Sequence, residues 1–397
     1  MKKLKKIIAV FLTVMLFASV LAGCSNQSQP AESTNGNGSE QEPSESKNDV
    51  IKIAYIGPLT GNLTLYGQTQ QNSIKLAVEE VNAAGGINGA KVEVDWYDDK
   101  SDPKETVVIA GKVSDNDEYV CVFGPFSSAS GMAAAQTFID AKIPVCSASV
   151  SHPDWSDLGQ GYFFRGDSTQ AQMMEAYSKF MYNELGVRKI AAYYVQNDWG
   201  VAVYEQLEKF FTELGGEIVY SDLFPENTKD FSAPLAKFKD KDFELFFMAA
   251  MITEGSLIVN QMRKLGIDQP LITNNSLMMK EYLDIVGENA EGQIILSYFA
   301  DEGNTERFEQ FRAAYEGKYP GKTVDTHAFN TYDLMSVIFE ALRHSGNDRE
   351  KFVEEMHKIK DFQGLQTKIT MLENGDMDKP FTPIVVKNGK WVVWEKE

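Results

Sequence analysis

Three segments of this chain set small hydroxyl side chains beside glycine or proline, each directly after an apolar, β-branched run. They are Gly57-Pro58-Leu59-Thr60-Gly61 running on to Tyr66, Gly124-Pro125-Phe126-Ser127-Ser128, and Ser147-Ala148-Ser149-Val150-Ser151. A hydroxyl without bulk can donate to an anion. The first turn of a helix adds unpaired N–H groups and the positive end of the helix dipole. The second segment opens a helix, so Ser128 is read as a carboxylate anchor; simple helix capping by Ser127 or Ser128 is the other reading, and the two roles can coexist. Similar loop chemistry recurs later. Asn197-Asp198-Trp199-Gly200 follows another strand-like run, where Trp199 either closes over a small molecule or packs as ordinary core or surface. Met251, Thr253 and Glu254 follow a run ending at Ala250, and Asn274, Asn275 and Ser276 follow one ending at Thr273. For Glu254 a helix-capping charge is the simpler role.

The patterns of nucleotide, covalent and metal chemistry are missing. No Gly-x-Gly-x-x-Gly follows a strand; Gly36 and Gly38 lie in polar sequence, and Gly159-Gln160-Gly161 runs into aromatic residues. Gly317-Lys318-Tyr319-Pro320-Gly321-Lys322-Thr323 has one residue too few between its glycines for a phosphate loop, and Pro320 removes an N–H from the cradle. There is no Gly-x-Ser-x-Gly elbow. His152, His327, His344 and His357 show no metal-ligand spacing. No catalytic residue, metal or cofactor is expected, and the chain reads as a binder rather than an enzyme.

Charge narrows the partners. With 38 basic against 57 acidic residues the net charge is −19, which argues against nucleic acid, whose phosphates need a basic face. Cys121 and Cys146 each sit in a short apolar run. Buried free thiols are the simplest reading, and an exported location also permits a disulfide between them.

The first residues read as an export signal, 1–23. Lys2, Lys3, Lys5 and Lys6 precede an almost continuously apolar run, residues 7–20, too short for a comfortable membrane span. An uncleaved anchor or a cut elsewhere is the alternative. Residues 24–49 then form a cysteine-headed tether: after Cys24 the segment is polar, with almost no large apolar side chain, and cannot bury enough surface to fold. Such a coil spans roughly 25–30 Å on average.

The elements that must position the loops alternate in type. Strand-like runs at 50–56, 91–97, 119–123 and 143–147 are separated by helical spacing, such as Ile74, Ala77, Val78 and Val81. Asp102-Pro103-Lys104-Glu105 is a helix start, with Asp102 as cap and Pro103 in the first turn. The rhythm restarts with strands at 189–195, 243–248, 270–273 and 294–298 and a helix at 199–214. Helices then dominate to His357, followed by short strands at 367–372, 382–386 and 391–394; Asn388-Gly389 is a hairpin signal. Alternation of this kind implies parallel sheets wrapped by helices, and two runs imply two lobes. The expected fold is α/β, with two doubly wound parallel-sheet lobes. The late helices belong on the first lobe, so the chain crosses between lobes more than once. In open α/β sheets ligands lie beyond the carboxyl ends of strands, where the polar loops fall.

Ile51-Lys52-Ile53-Ala54-Tyr55-Ile56-Gly57-Pro58-Leu59-Thr60-Gly61, Tyr66-Gly67, Val81-Asn82-Ala83-Ala84-Gly85-Gly86-Ile87-Asn88-Gly89 and Asp98-Asp99-Lys100-Ser101-Asp102-Pro103 together resemble the leucine/isoleucine/valine-binding protein family of ABC importer subunits. The likeness runs from about Ile51 to the C-terminus. It implies the type I periplasmic binding protein fold, two lobes joined by three crossovers near Gly166, Tyr298 and Gln363. Lobe 1 would hold 50–166 and 299–362, and lobe 2 would hold 167–298 and 363–397. By motif position, the tyrosine near the ligand falls on Tyr66, the α-carboxylate serine on Ser128, the next strand-end contacts on Ser149 and Ser151, and the aromatic lid on Trp199. With the neighbouring Phe126, Ser127, Met251 and Asn275, these make the expected ligand set. Asn275 stands where an acidic partner of the α-ammonium is expected. The ligand is then an amino acid held differently, through Asp301 or Glu254, or a carboxylate or amide without the amine. Ser101 and Ser127 fall where some relatives carry a disulfide, which is missing here. Leu21-Ala22-Gly23-Cys24 resembles the lipobox of bacterial lipoproteins and implies a lipid on Cys24. The implied protein is a monomer, anchored on the outer face of the bacterial cell membrane, that passes its solute to a permease and its ATPase. A ligand sensor of the same fold and an exported enzyme are the competing readings.

Overall fold

The β-branched runs after residue 50 become one parallel sheet: β1 (Ile51–Gly57), β2 (Val92–Asp98), β3 (Tyr119–Phe123), β4 (Val145–Ser147) and β5 (Phe163–Arg165), ordered β2-β1-β3-β4-β5. The computed structural model describes residues 50–300 and 305–396. The export signal, Cys24, the tether and Asp301 lie outside the described residues. Every residue of β3 is buried, as a central parallel strand covered on both faces requires. Helices α1 (Thr64–Ala83), α2 (Pro103–Ser114), α3 (Ser128–Asp140) and the short α4 (Trp155–Leu158) connect the strands. Asp102 caps α2 as expected, its Oδ1 accepting from the Lys104 N–H at 2.8 Å.

The chain then leaves this lobe. Helix α5 (Gln170–Lys179), continued by one wider turn over Phe180–Glu184, leads into β6 (Lys189–Val195), α6 (Asp198–Glu213), β7 (Glu217–Phe224), α7 (Ser232–Lys239), β8 (Leu245–Ala249), α8 (Ile252–Lys264), β9 (Leu271–Thr273), α9 (Lys280–Val286) and β10 (Ile294–Ser297). Strand β7 was not foreseen. It is an edge strand, and all but its last residue are partly or fully exposed, so it lacks the apolar run that marks its neighbours.

Helices α10 (Glu306–Lys318), α11 (Thr326–Ser345) and α12 (Arg349–His357) return to the first lobe. Leu334, Val337, Ile338 and Leu342 of α11 share one core with Ile53, Tyr55 and Phe123. Next come three short strands, β11 (Phe362–Gln363), β12 (Lys368–Met371) and β13 (Met377–Asp378), forming a small antiparallel sheet. Here the expected boundary at Gln363 shifts. Ile369, Met371 and Met377 lie in the first lobe's core, Arg165 donates its N–H to the Gly375 carbonyl at 2.8 Å, and its buried guanidinium pairs with Asp376 at 2.8 Å. These contacts hold residues 362–378 on lobe 1, so the third crossing falls at residues 379–381. Strands β14 (Thr382–Lys387) and β15 (Lys390–Val393) then form the Asn388-Gly389 hairpin and complete the second sheet, β15-β14-β10-β9-β8-β6-β7, parallel except for that hairpin.

The crossings are tied together. The Tyr298 hydroxyl donates to Asp167, and the Ser168 N–H donates to Asp167 Oδ1 at 2.8 Å and to the Tyr298 oxygen at 3.0 Å. Burial pushes the Asp167 carboxyl up to about 6. In the third crossing Lys379 Nζ donates to Asn330 Oδ1 at 3.3 Å and meets Asp333 at 3.4 Å.

Candidate functional site

The first lobe's wall is built from the loops after β1, β3 and β4. Tyr66 sits in the first turn of α1, wholly buried, its ring stacked on Phe126 at 5.4 Å and edge-on to His327 at 5.0 Å. The turn fits closely because the next residue is glycine: a Cβ on Gly67 would stand 2.0 Å from the Pro58 carbonyl oxygen. Ser127 is the cap of α3, its Oγ accepting from the Ser130 N–H at 3.2 Å. That leaves the Ser128 hydroxyl proton available; its oxygen accepts from the Ser151 N–H at 3.4 Å. Capping thus falls to Ser127, and Ser128 lines the cleft beside it. After β4, Ser147 Oγ donates to the Pro125 carbonyl at 2.8 Å and accepts from the Ser149 and Val150 N–H groups. Ser149 Oγ in turn accepts from Gln70 Nε2 at 2.7 Å, and Gln70 is held by the Tyr55 hydroxyl.

The second lobe repeats the device. Trp199 lies in the first turn of α6, followed by Gly200, where a Cβ would stand 2.0 Å from the Val195 carbonyl oxygen. Asn197 caps α6 through the Gly200 N–H at 2.9 Å and donates from Nδ2 to Glu226 at 2.6 Å. Trp199 is half-buried, packs against both cores of its lobe and also lines the cleft. Helix α8 has no side-chain cap of its own. Its first N–H, on Ile252, donates instead to the Tyr66 hydroxyl of the opposite lobe at 2.8 Å. Glu254 Oε1 accepts from the Asn227 N–H at 3.0 Å. Asn274 turns inward to the Ala250 N–H at 3.0 Å, leaving the buried Asn275 to face the cleft.

Between these walls lies a cavity of about 310 Å³, within the size range of small-molecule sites. Tyr66, Phe126, Ser127, Ser128, Ser149, Ser151, Trp199, Met251 and Asn275 all line it, as does Glu254. The lobes are closed on it: Asn62 donates to Asn227, and Lys322 pairs with Glu281, across the cleft.

The sequence of residues 50–390 matches the family model described as periplasmic binding protein. The chain belongs to that family. It is 25% identical over 332 residues to the leucine-, isoleucine-, valine-, threonine-, and alanine-binding protein of Pseudomonas aeruginosa, covering 83% of this chain and 87% of that protein. The branched-chain amino acid transporter substrate binding protein LivJ from Streptococcus pneumoniae, solved with isoleucine, superposes with a TM-score of 0.80 at 27% identity, covering 86% of this chain and 97% of its own. The leucine binding protein LivK from Thermotoga maritima gives a TM-score of 0.80 at 27% identity, over 87% and 98% of the two chains. The fold is thus the type I periplasmic binding protein fold, and the protein is an extracytoplasmic solute binder.

The binding protein's cleft also contains residues that sequence reasoning missed. Asp167, from the first crossing, and His327, from the start of α11, both line it. Lys100 and Lys229 supply positive charge; Asp198 and Glu226 add to the negative charge of Asp167 and Glu254. His327 stands in the sequence between Thr326 and Ala328, and nothing local showed that α11 lies under the cleft. Burial alone pushes its imidazole pKa down to about 4. Among the described residues no helix is long and apolar enough to cross a membrane. No group of His, Cys, Asp and Glu side chains among them is placed to hold a metal ion. Cys121 and Cys146 are free thiols, buried in one core.

Proposed function

We propose that this periplasmic binding protein is the solute-binding lipoprotein of an ABC importer, taking a small amino acid or a related carboxylate or amide and handing it to a permease driven by its ATPase. One observation carries the reading: loop ends from two separate sheets converge on one cavity of about 310 Å³. Ser128, Ser149 and Ser151 stand there beside the N-terminus of α3, which suits a carboxylate. Trp199 and Met251 cover it from the second lobe, and Glu254 is a carboxylate available to an ammonium in place of the acid that Asn275 replaces. The relatives named for leucine, isoleucine and valine support the amino-acid class.

The protein acts as a monomer that binds without turnover and hinges at its three crossings. The Leu21-Ala22-Gly23-Cys24 segment and the polar tether support a lipid on Cys24 and a place on the outer face of the cell membrane. Two experiments test this. Mass spectrometry of small molecules released by denaturing the purified protein, followed by calorimetric titration of the refolded protein with what is found, should give one solute per chain and no product; conversion of the solute rejects the reading. Cys24→Ser should move the protein from the membrane fraction to the soluble exported fraction, and unchanged membrane association rejects the anchor.

A further inference from the structure

Two side chains facing the cavity carry polar atoms that have no hydrogen-bond partner among the described residues. His327 is 5% exposed and neither ring nitrogen is bonded; Asn275 is 4% exposed and its Nδ2 is unpaired. Both line the cavity. They are neighbours, since Thr326 Oγ1 donates to the Asn275 carbonyl at 3.4 Å. The imidazole is held by rings, with Tyr66 at 5.0 Å and Phe126 at 5.4 Å between centroids. In that apolar setting it is neutral, so it offers one N–H donor and one nitrogen acceptor, and the Asn275 amide offers a further donor. Buried polar groups in folded proteins are almost always bonded. An aliphatic side chain seated against these atoms would shut out water and replace none of the bonds. A carboxamide or hydroxyl would satisfy them.

We infer that His327, with Asn275, makes this site selective for a small carboxylate that also carries an uncharged hydrogen-bonding group, a carboxamide or hydroxyl, over the aliphatic amino acid of the same shape. This rests on the solute-binding reading above and names its ligand class.

Matched pairs test it: asparagine against leucine and threonine against valine, titrated calorimetrically into the intact protein freed of bound solute. The polar member of at least one pair should bind about 10–100-fold tighter than its apolar counterpart. His327→Phe, which keeps a ring and loses both nitrogens, should bring that ratio near one, and His327→Gln, which keeps a donor and an acceptor, should restore part of it. If His327→Phe does not fold, Asn275→Ala read the same way should narrow the ratio. Apolar members that bind as tightly as their polar partners in both pairs overturn the inference. So does a ratio unmoved in the folded variants, or no binding by either polar compound. The solute-binding reading fails separately, on the absence of any small molecule released from the protein as purified.

Discussion

Removing one hydroxyl, Tyr66→Phe, should uncouple the two lobes without unfolding either. In the closed protein the Tyr66 oxygen accepts the Ile252 N–H at 2.8 Å. It is the cap of a helix that has no side-chain cap of its own. Both groups are buried, so phenylalanine leaves an N–H without a partner in the closed form. Once the cleft opens, water reaches that N–H, so the cost falls on the closed form alone. A lost buried hydrogen bond or helix cap costs about 1–2 kcal/mol, which is roughly 5–30-fold in the closing equilibrium. The ring contacts with Phe126 and His327 remain. Because solute stabilises the closed form, the apparent Kd should rise by that same factor. The dissociation rate should carry most of the change, as interface substitutions usually act there. Calorimetry with the solute recovered from the protein, and stopped-flow dissociation, read the two quantities. An affinity within twofold of the parent protein would refute the coupling.

Ser128→Ala should weaken solute binding by roughly 1–2 kcal/mol in the same titration, since it deletes a hydroxyl facing the cavity; unchanged affinity would reject the carboxylate anchor. Trp199→Ala should lower affinity several-fold while thermal unfolding of the solute-free protein moves by only a few degrees; loss of folding would make Trp199 a core residue first. The Asp325 carboxyl is wholly buried where it caps α11, accepting from the Ala328 N–H at 2.8 Å, and burial pushes it up to about 7. A folded-state pKa above the unfolded one gives stability that is complete below about pH 4 and lost as pH rises through about 7. Asp325→Asn keeps a capping oxygen without the charge. It should flatten that slope in pH-dependent melting and leave the variant the more stable protein at pH 8, by on the order of a few kcal/mol; parallel slopes would reject the assignment.

The architecture was legible wherever burial leaves an uninterrupted apolar run. β3 and β8 are buried at every position and read directly from the runs 119–123 and 243–248. Edge strand β7 and the three-stranded sheet at 362–378 were harder, because their stability comes from partners far along the chain. Asp376, for instance, gains its meaning from Arg165, 211 residues earlier, and from Ser156. The site divides the same way. Loop residues directly after a strand announce themselves by small size and hydroxyls, which is how Ser128 and Ser149 were found. Residues carried to the cleft by a crossing or a returning helix, Asp167 and His327, have no local mark, since only the three-dimensional path of the chain places them there.

What distinguishes the two walls is who satisfies their polar atoms. On the first lobe, Ser149 is set by Gln70, and Ser128 by the Ser151 N–H, so those hydroxyls are aimed with or without solute. Across the cleft, closure gains the α8 cap from Tyr66 and an ion pair between partly exposed Lys322 and Glu281; a pair of that kind contributes about 1 kcal/mol at most. Against this, shutting the empty cleft strips water from His327 and Asn275, at about 1–3 kcal/mol for each unpaired group. At roughly 2–6 kcal/mol against about 1–3, the cost outweighs the gain without solute, so the open form is favoured until solute binds. A solute that bonds His327 and Asn275 removes the opposing cost and leaves the cap and the ion pair in place, so the closed state is favoured by the difference. Closure in this protein is therefore controlled as much by the polar atoms left waiting as by the contacts already made. A compound that fills the cavity yet offers those atoms nothing should bind while leaving the lobes substantially open, which small-angle scattering would register as a radius of gyration unchanged on saturation.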